Sequence, residues 1–403
     1  MNSYLTLKLS SLMLSTLTFS SYAKNLAAND LEIYAQFKKI QYDLGDKTLE
    51  QNYNDKQLYK NVLLQGIKFD AKGNAYVSSA TSRWGSKETP GSLAKLVKKE
   101  GEWKLQPFPS LEFNNYNNPK GLKAVLGFEI DRNDVMWILD QGHVEGQVNK
   151  IGDEKLIAWD LKTNKEIARY EFSELDSDKK CSFLNDLVID NDAGFIYISD
   201  SGLNCQPLKA GIIAYNIKTN TAKRVLSAPD LVGNENFKFQ IHGRDVLKAN
   251  SLQVGINGIA LSGDKKTLYW TNMTGNRLMS LPTKIVKEFS KSEQEVIKAA
   301  KYVATLPSNT DGMIADRDNN LYMSALTLNG IMRRDARSGN VTVYTSSSDI
   351  SFVDSLAWGS DGYLYFTSNQ LHIWFDGDMK FDDNKVTQTI YRVPVTGKSY
   401  KIK

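Results

Sequence analysis

The chain has 403 residues, and its 50 basic and 46 acidic residues give a formal net charge of +4 at neutral pH. Charges this evenly balanced argue against a nucleic-acid-binding protein. With only 3 histidines, a three-histidine zinc site or a Ser-His-Asp triad would use nearly every imidazole, and neither H-E-x-x-H nor G-x-S-x-G occurs. The length would suit two average domains, but all-β folds built from repeats often run this long as one domain.

The first segment of the chain predicts export. A single charge at Lys8 precedes the apolar and hydroxyl run of residues 9–19, and a small-x-small pattern ends at Ala23. The run is too short for a membrane-spanning helix, which needs about 20 residues. We therefore expect residues 1–23 to be a signal peptide cleaved near Ala23, and the mature protein to be secreted or periplasmic without membrane insertion. A short amphipathic start to the domain is the alternative.

Six copies of one unit follow in chain order. Each copy has a first residue that is usually polar, an apolar strand, a turn containing Gly, Asp or Asn, and an aromatic residue that leads a second strand. The first residues, which we term the strand heads, are Gln65, Leu126, Asn185, Asn257, Asp311 and Asp354. The leading aromatic residues are Tyr76, Trp137, Tyr197, Tyr269, Tyr322 and Tyr365. Because third and fourth strands follow five of the copies, the sequence predicts an all-β, six-bladed β-propeller spanning residues 24–403 as a single domain.

The sixth copy has a third strand but no fourth before the chain ends at Lys403. Residues 31–37 have a strand pattern and would complete the last blade, so that an N-terminal strand closes the ring and removes an exposed sheet edge. Two insertions account for the uneven spacing of the copies. Residues 229–254 show no regular pattern, and residues 285–300 have the spacing of a surface helix.

Equivalent positions of successive blades lie at similar height and radius about the propeller axis. The strand heads should therefore form a ring at the mouth of the central channel, and five of the six carry a side-chain oxygen. Oxygen donors without imidazole or thiolate suit one divalent cation, with Ca²⁺ favoured and Mg²⁺ or Mn²⁺ as alternatives. Gln65 and Asp354 are expected to contact a ligand there. The alternative is that Asn and Asp stand at these positions because they favour turns.

The loops that leave the second strands should reach the same mouth, where Trp84 and Phe183 would add apolar walls to a pocket for a small molecule. His143 is the imidazole in this set that we consider as a base, although a lone histidine is more often an ordinary turn residue. The other candidates for ligand binding in these loops are Asp140, Asp200, Asn272 and Asn369.

Cys181 and Cys205 are the two cysteines of the chain and flank one strand pair. If the protein is exported, oxidation is possible, and a disulfide between them is the preferred interpretation. Two buried thiols are the alternative.

Several phrases resemble the yellow and major royal jelly protein family. They are MWILDQG from Met136, NDLVID from Asn185, YISDSG, GIIAYN, and GINGIALS with LYW. The resemblance spans about residues 30 to 395. It implies an exported propeller that acts on catechol-like molecules, such as dopachrome, or binds biogenic amines, and it carries over no catalytic motif.

The chain is more distantly similar to the gluconolactonase and senescence-marker propellers, which hold one divalent cation. That similarity implies Asn185, Asn257 and Asp311 as metal ligands. Gln65 stands where those proteins have a Glu, so one ligand charge is missing.

Three functions remain as hypotheses. The first is a dopachrome-type tautomerase in which Asp311 and His143 move protons. The second is a lactonase in which a cation polarises the carbonyl and Asp311 activates water. The third is a non-catalytic protein, monomeric by default, that binds a small ligand through Asp311, Asp354 and aromatic walls.

Overall fold

The computed structural model describes residues 31–232, 239–246 and 253–399. The expected signal peptide, residues 1–23, lies outside the described residues. Within them the chain forms six four-stranded antiparallel sheets and one small hairpin. The six-bladed β-propeller is therefore confirmed.

The blades follow the order of the six copies, and each strand pairs with the next one along the chain. Strand β1 (Glu32–Phe37) precedes them. Blade 1 contains β2 (Ile67–Phe69), β3 (Ala75–Ser78), β4 (Leu93–Lys99) and β5 (Glu102–Pro107). Blade 2 contains β6 (Val125–Ile130), β7 (Val135–Asp140), β8 (Lys155–Asp160) and β9 (Lys165–Glu171). Blade 3 contains β10 (Leu184–Asp190), β11 (Phe195–Asp200), β12 (Gly211–Asn216) and β13 (Thr221–Leu226).

The second half of the ring repeats this plan after the hairpin β14 (Gln240–Ile241) and β15 (Arg244–Asp245). Blade 4 contains β16 (Ile256–Leu261), β17 (Thr267–Asn272), β18 (Arg277–Pro282) and β19 (Lys301–Thr305). Blade 5 contains β20 (Met313–Ala315), β21 (Leu321–Ala325), β22 (Gly330–Arg334) and β23 (Val341–Ser346). Blade 6 contains β24 (Phe352–Trp358), β25 (Tyr363–Asn369), β26 (Gln388–Pro394) and the N-terminal β1.

Strand β1 pairs antiparallel with β26, so the two ends of the described chain share one sheet. Arg392 of β26 donates to the Glu32 carboxylate of β1 (Nε to Oε2, 2.8 Å). The innermost strands contact one another around the ring, from β2 through β6, β10, β16, β20 and β24 back to β2. These strands surround the axis.

The core lies between the blades, because both faces of each sheet are covered by neighbours. All residues of β6 and β16 are buried. Between blades 3 and 4, for example, Tyr197 and Ile212 pack in one cluster with Ile259 and Trp270. The leading aromatic residue of every copy lies in the second strand of its blade, where most pack against the adjacent sheet.

The short helices lie in connections outside the sheets. They are α1 (Lys47–Asp55), α2 (Thr81–Gly85), α3 (Pro229–Val232), α4 (Thr283–Val286), α5 (Glu293–Ala299) and α6 (Leu371–Phe375), with 3-10 turns at Leu58–Asn61 and Leu326–Leu328. Helix α5 supplies the helix expected in the second insertion and begins with a capping box between Ser292 and Glu295. The first insertion was expected to lack regular structure. Its described part instead forms α3 and the β14–β15 hairpin, because Phe239 and Ile241 are apolar enough to be buried there.

Candidate functional site

A cavity of about 50 Å³ lies on the propeller axis, and all six strand heads line it. The remaining wall is mainly apolar and aromatic. It consists of Trp84, Phe183, Leu203, Val246, Val254, Met273, Phe352, Leu371, His372 and Phe375. The repeat therefore brings together residues that are far apart in the sequence, as expected for a ring. Gln65, Asn185, Asn257, Asp311 and Asp354 are the expected site residues that it places in the cavity wall.

A break in the strand pairing positions the heads. In β6, β10, β16 and β24 the register to the second strand shifts at the head and the residue after it. In the other two blades the regular strand begins only two residues after Gln65 and Asp311. A bulge of this kind redirects side chains that regular pleating would place on the sheet faces. It explains how one position of each blade can point toward the axis.

Hydrogen bonds between blades fix the heads at one level. The Ser78 hydroxyl accepts from Gly66 N (2.9 Å) in its own blade and donates to Leu126 O (2.6 Å) in the next. The hydroxyls of Ser199 and Thr367 make the same two bonds in blades 3 and 6. Elsewhere the innermost strands approach too closely for a side chain. A Cβ at Gly258 would lie 2.4 Å from Asp311 O.

Asp311 and Asp354 are buried acids with few partners. Asn257 donates to Asp311 (Nδ2 to Oδ1, 2.7 Å), and Asn369 donates to Asp354 (Nδ2 to Oδ2, 3.1 Å). No lysine or arginine among the described residues forms an ion pair with either carboxyl. Burial, followed by the charges of Asp354 and Asp186, holds the pKa of Asp311 well above its usual range. Burial chiefly raises the pKa of Asp354 to about 7, against the effect of the Asn369 bond.

This arrangement favours the protonated forms of both carboxyls relative to an exposed aspartate. The carboxyl of Asp354 titrates near neutral pH, and the two protonation equilibria depend on each other. One group can then donate a proton while the other accepts one. Acids with pKa values near the working pH are the ones suited to proton transfer.

The Asn257 side chain leaves an acceptor unused, because its Oδ1 is buried and has no hydrogen-bond partner. Asn185 and Asp311 line the same cavity. Two amide oxygens and one carboxylate are donors that fit a hard divalent cation. Among the described residues there is no group of three or more His, Cys, Asp or Glu that could hold a metal, so any site here depends on the amides.

Asp140 and Asp200 end the second strands as expected, but they do not line the cavity. Asp140 pairs with Lys155 (Oδ2 to Nζ, 2.8 Å), and both side chains are fully buried. It also accepts from the backbone N–H groups of residues 123, 124 and 142. Asp200 accepts from two backbone N–H groups and pairs with Arg224 (Oδ2 to Nη1, 2.7 Å). Their oxygens hold the loops together.

Three further candidates also lie outside the cavity wall. Asn272 contacts the carbonyl of Leu231 (Nδ2 to O, 3.3 Å). Asn369 lies behind Asp354 and donates to it directly. His143 bonds the Ser182 carbonyl (Nε2 to O, 2.8 Å) and stacks on Phe183, so it reaches the site only through that ring.

Cys181 and Cys205 form a disulfide. Phe183 and Leu203, each two residues inside this loop, both line the cavity. The disulfide therefore supports one apolar side of the cavity.

Sequence reasoning missed His372, which lines the cavity from helix α6. This helix lies in the connection between the second and third strands of blade 6, β25 and β26, and the same connection of blade 1 contains α2, which brings Trp84 to the cavity. The one available signal was local: an apolar run with an imidazole directly after the last second strand.

No helix within the described ranges is both long and apolar enough to cross a bilayer.

Known proteins resemble this chain in sequence and in fold. The chain is 28% identical over 339 residues to the dopaminechrome tautomerase of Drosophila melanogaster, in an alignment that covers 78% of this chain and 67% of that protein. It is 24% identical over 290 residues to major royal jelly protein 3 of Apis mellifera, covering 68% of this chain but only 48% of that protein. A solved structure of a luciferin-regenerating enzyme superposes with a TM-score of 0.51 at 14% identity, covering 93% of this chain and 99% of that one, which shows the fold alone.

The family model of the major royal jelly proteins matches residues 124–397, from the second blade to the last strand. The matched region includes five of the six strand heads and both acids of the cavity. This chain belongs to the major royal jelly protein family.

Proposed function

We propose that this protein is a tautomerase of small aminochromes, the bicyclic ortho-quinones formed from catecholamines, and that the reaction takes place in the axial cavity. The observation that carries the proposal is the buried pair Asp311 and Asp354, which has no basic partner among the described residues and lies within aromatic walls. The relation to a dopaminechrome tautomerase supports the choice of substrate.

Conversion of dopaminechrome to its dihydroxyindole is redox-neutral. Two C–H protons leave the five-membered ring, the electron pairs form the aromatic indole, and both quinone oxygens gain a proton. Each transfer needs a carboxylate that removes a proton from carbon and an acid that supplies one to oxygen. Asp311 and Asp354, one protonated and the other ionised, would offer both groups, and the low polarity of the walls strengthens both interactions.

The test is the loss of visible absorbance when the full-length protein is mixed with dopaminechrome. We expect turnover above the uncatalysed rate, and a 10²- to 10⁴-fold loss of kcat/KM, on the order typical of removed acid–base groups, in Asp311→Asn and Asp354→Asn. Asp335→Asn is the matched control, because Asp335 lies in the outer turn of the same blade as Asp311 and makes only local bonds. A rate equal to background, or Asn variants as active as the parent, would refute the proposal. Binding without turnover would instead identify a non-catalytic ligand-binding protein.

As a second proposal, one divalent cation binds at Asn185, Asn257 and Asp311, with Ca²⁺ first and Mg²⁺ or Mn²⁺ as alternatives. The unpartnered Oδ1 of Asn257 favours it. A bound cation would polarise a carbonyl oxygen of the ligand, as a lactonase also requires. Gln65 weakens the lactonase hypothesis, because it brings no charge and its Oε1 already accepts from Thr81 N (3.1 Å).

Protons and cations compete for Asp311, since its pKa is raised. The affinity for Ca²⁺ should therefore increase from pH 6 to pH 8. Calorimetric titration of chelator-treated protein at both pH values tests this, with Asn257→Leu as the variant that removes the unused oxygen. If no heat is measured at either pH, the cation and the lactonase hypothesis fail together, whereas the tautomerase proposal is unaffected.

We also propose that the protein is exported. The pattern that ends at Ala23 predicts cleavage there, and N-terminal sequencing of the protein recovered outside the cytoplasm would test it. Recovery of the uncut chain from the cytoplasm alone would contradict it.

A further inference from the structure

The imidazole of His372 is a buried polar group with one nitrogen that the fold leaves without a hydrogen bond. The side chain is 2% exposed and lines the axial cavity. Its Nδ1 has no hydrogen-bond partner. Buried polar atoms without a partner are rare because the cost of removing them from water is not offset, so such an atom in a cavity wall calls for a ligand to satisfy it.

The ring of His372 and the carboxyl of Asp354 are held in place by the same neighbouring residues. Asn369 accepts from Leu371 N through Oδ1 (2.9 Å), which fixes the first turn of α6, and donates to Asp354 through Nδ2. One amide thus holds the acid and the helix that carries the imidazole. Phe352, two residues before Asp354, stacks on the ring of His372 (centroids 6.0 Å apart, planes at 20°).

The surroundings keep the ring uncharged. Burial, then the charges of Arg244 and His242, lower the pKa of His372 to about 4, while Asp376 acts in the opposite direction. From pH 5 upward the imidazole is neutral and offers one N–H donor and one acceptor nitrogen. A neutral imidazole can polarise a carbonyl oxygen without adding a charge to the site.

We propose that the imidazole of His372 contacts the substrate directly and hydrogen-bonds a quinone or catechol oxygen in the cavity that Asp311 and Asp354 also line. The assignment rests on the proposed ligand class. It adds to Asp311 and Asp354 a third polar contact, which orients the bicyclic ring and polarises the oxygen that gains a proton.

The experiment uses full-length protein labelled with ¹⁵N in its 3 histidines, and 4-methylcatechol as a stable ligand. His372→Phe assigns the signal, since it removes both nitrogens and keeps an aromatic ring against Phe352. We expect the His372 nitrogens to stay in the neutral form between pH 5 and 8 and to shift when 4-methylcatechol is added. His372→Phe should weaken 4-methylcatechol binding and lower kcat/KM for dopaminechrome by about 10-fold each, the value of one hydrogen bond.

His372→Gln should recover part of the affinity, because its amide restores a donor and an acceptor. Trp374→Phe is the matched control: it removes a ring N–H on the same helix, and that N–H bonds Lys60 O (2.9 Å) outside the cavity. Ligand binding that leaves the His372 signals and the affinity of His372→Phe unchanged overturns the inference, as does failure of the parent to bind 4-methylcatechol. A parent that binds and shifts His372 but turns over no dopaminechrome would refute the tautomerase proposal and leave the contact standing.

Discussion

Two pairs of buried aspartates lie within this propeller, and their surroundings differ in one respect. Asp140 and Asp200 end second strands and are surrounded by backbone N–H groups and a cation each. Asp311 and Asp354 head innermost strands, face the cavity, and have one amide contact each from a side chain. The first pair has its charge compensated by the fold, and the second does not.

The difference separates structural acids from functional ones. A buried charge with a full set of partners contributes to the fold. When it is removed, its buried partner is left without a counter-charge, and the fold is destabilised. A buried acid without compensation destabilises the fold, and acids with strongly perturbed pKa values cluster at functional sites. The two pairs should therefore respond in opposite directions to the same substitution.

The largest effect is expected at Asp140. Asp140→Asn leaves the fully buried ammonium of Lys155 without its counter-charge and should lower the free energy of unfolding by about 3–5 kcal/mol. Urea denaturation followed by tryptophan fluorescence would measure this. The double variant Asp140→Asn/Lys155→Met removes the stranded charge and should recover part of the loss. Equal stability of the parent and the single variant would show that the ion pair is not what holds this loop.

A smaller effect of opposite sign is expected at Asp354. The pKa of its carboxyl is about 7 in the folded protein and near the usual value of 3.8 when unfolded, so the folded state binds the extra proton between these values. Stability due to this group therefore falls as pH rises from about 4 to 7, and the full penalty applies above pH 7. Asp354→Asn has no such penalty and should be more stable than the parent by about 2–4 kcal/mol at pH 8, but about equally stable at pH 4.

Thermal unfolding of both proteins at the two pH values tests this prediction. Asp200→Asn is the comparison, because the same chemical change at a compensated acid should lower Tm at pH 8. If Asp354→Asn also lowers Tm at pH 8, its carboxylate is stabilised in the fold by contacts that the cavity does not suggest.

The sequence predicts the ring of heads well because it is a repeated feature. Asn185, Asn257, Asp311 and Asp354 occupy the same position in successive copies, and the fold maps equal positions onto one ring. The residue after the head is informative as well. Glycines occupy that position in four copies, where a Cβ would collide with the next innermost strand or, at Gly66, with the Ser78 hydroxyl; they are Gly66, Gly127, Gly258 and Gly312.

Local sequence could not tell the two pairs of acids apart. Asp140 and Lys155 face each other only because β7 and β8 pair in a particular register, and Arg224 reaches Asp200 from the outermost strand of its blade. His372 was missed for a different reason, since the connection between second and third strands differs in length from blade to blade and has no repeated phrase to reveal its position. Side-chain partners across strands, and the variable connections over the mouth, are the features that required the structure.

The smallest effect on stability is expected for a third kind of acid, which is partly exposed and paired with an arginine. Asp376 and Asp378 follow α6 and pair with Arg244 of the hairpin (2.7 and 2.6 Å). Because solvent and salt screen such pairs, Arg244→Gln should change Tm little. It should nevertheless raise the pKa of His372, whose lowering owes its second-largest part to the Arg244 charge. The pKa should return only partway to the ordinary value, because burial remains, and ¹⁵N signals of the imidazole would show it. An unchanged pKa would mean that the Arg244 charge does not affect the His372 ring. A large fall in Tm would mean that Asp376 and Asp378 stabilise the fold as Asp140 and Asp200 do.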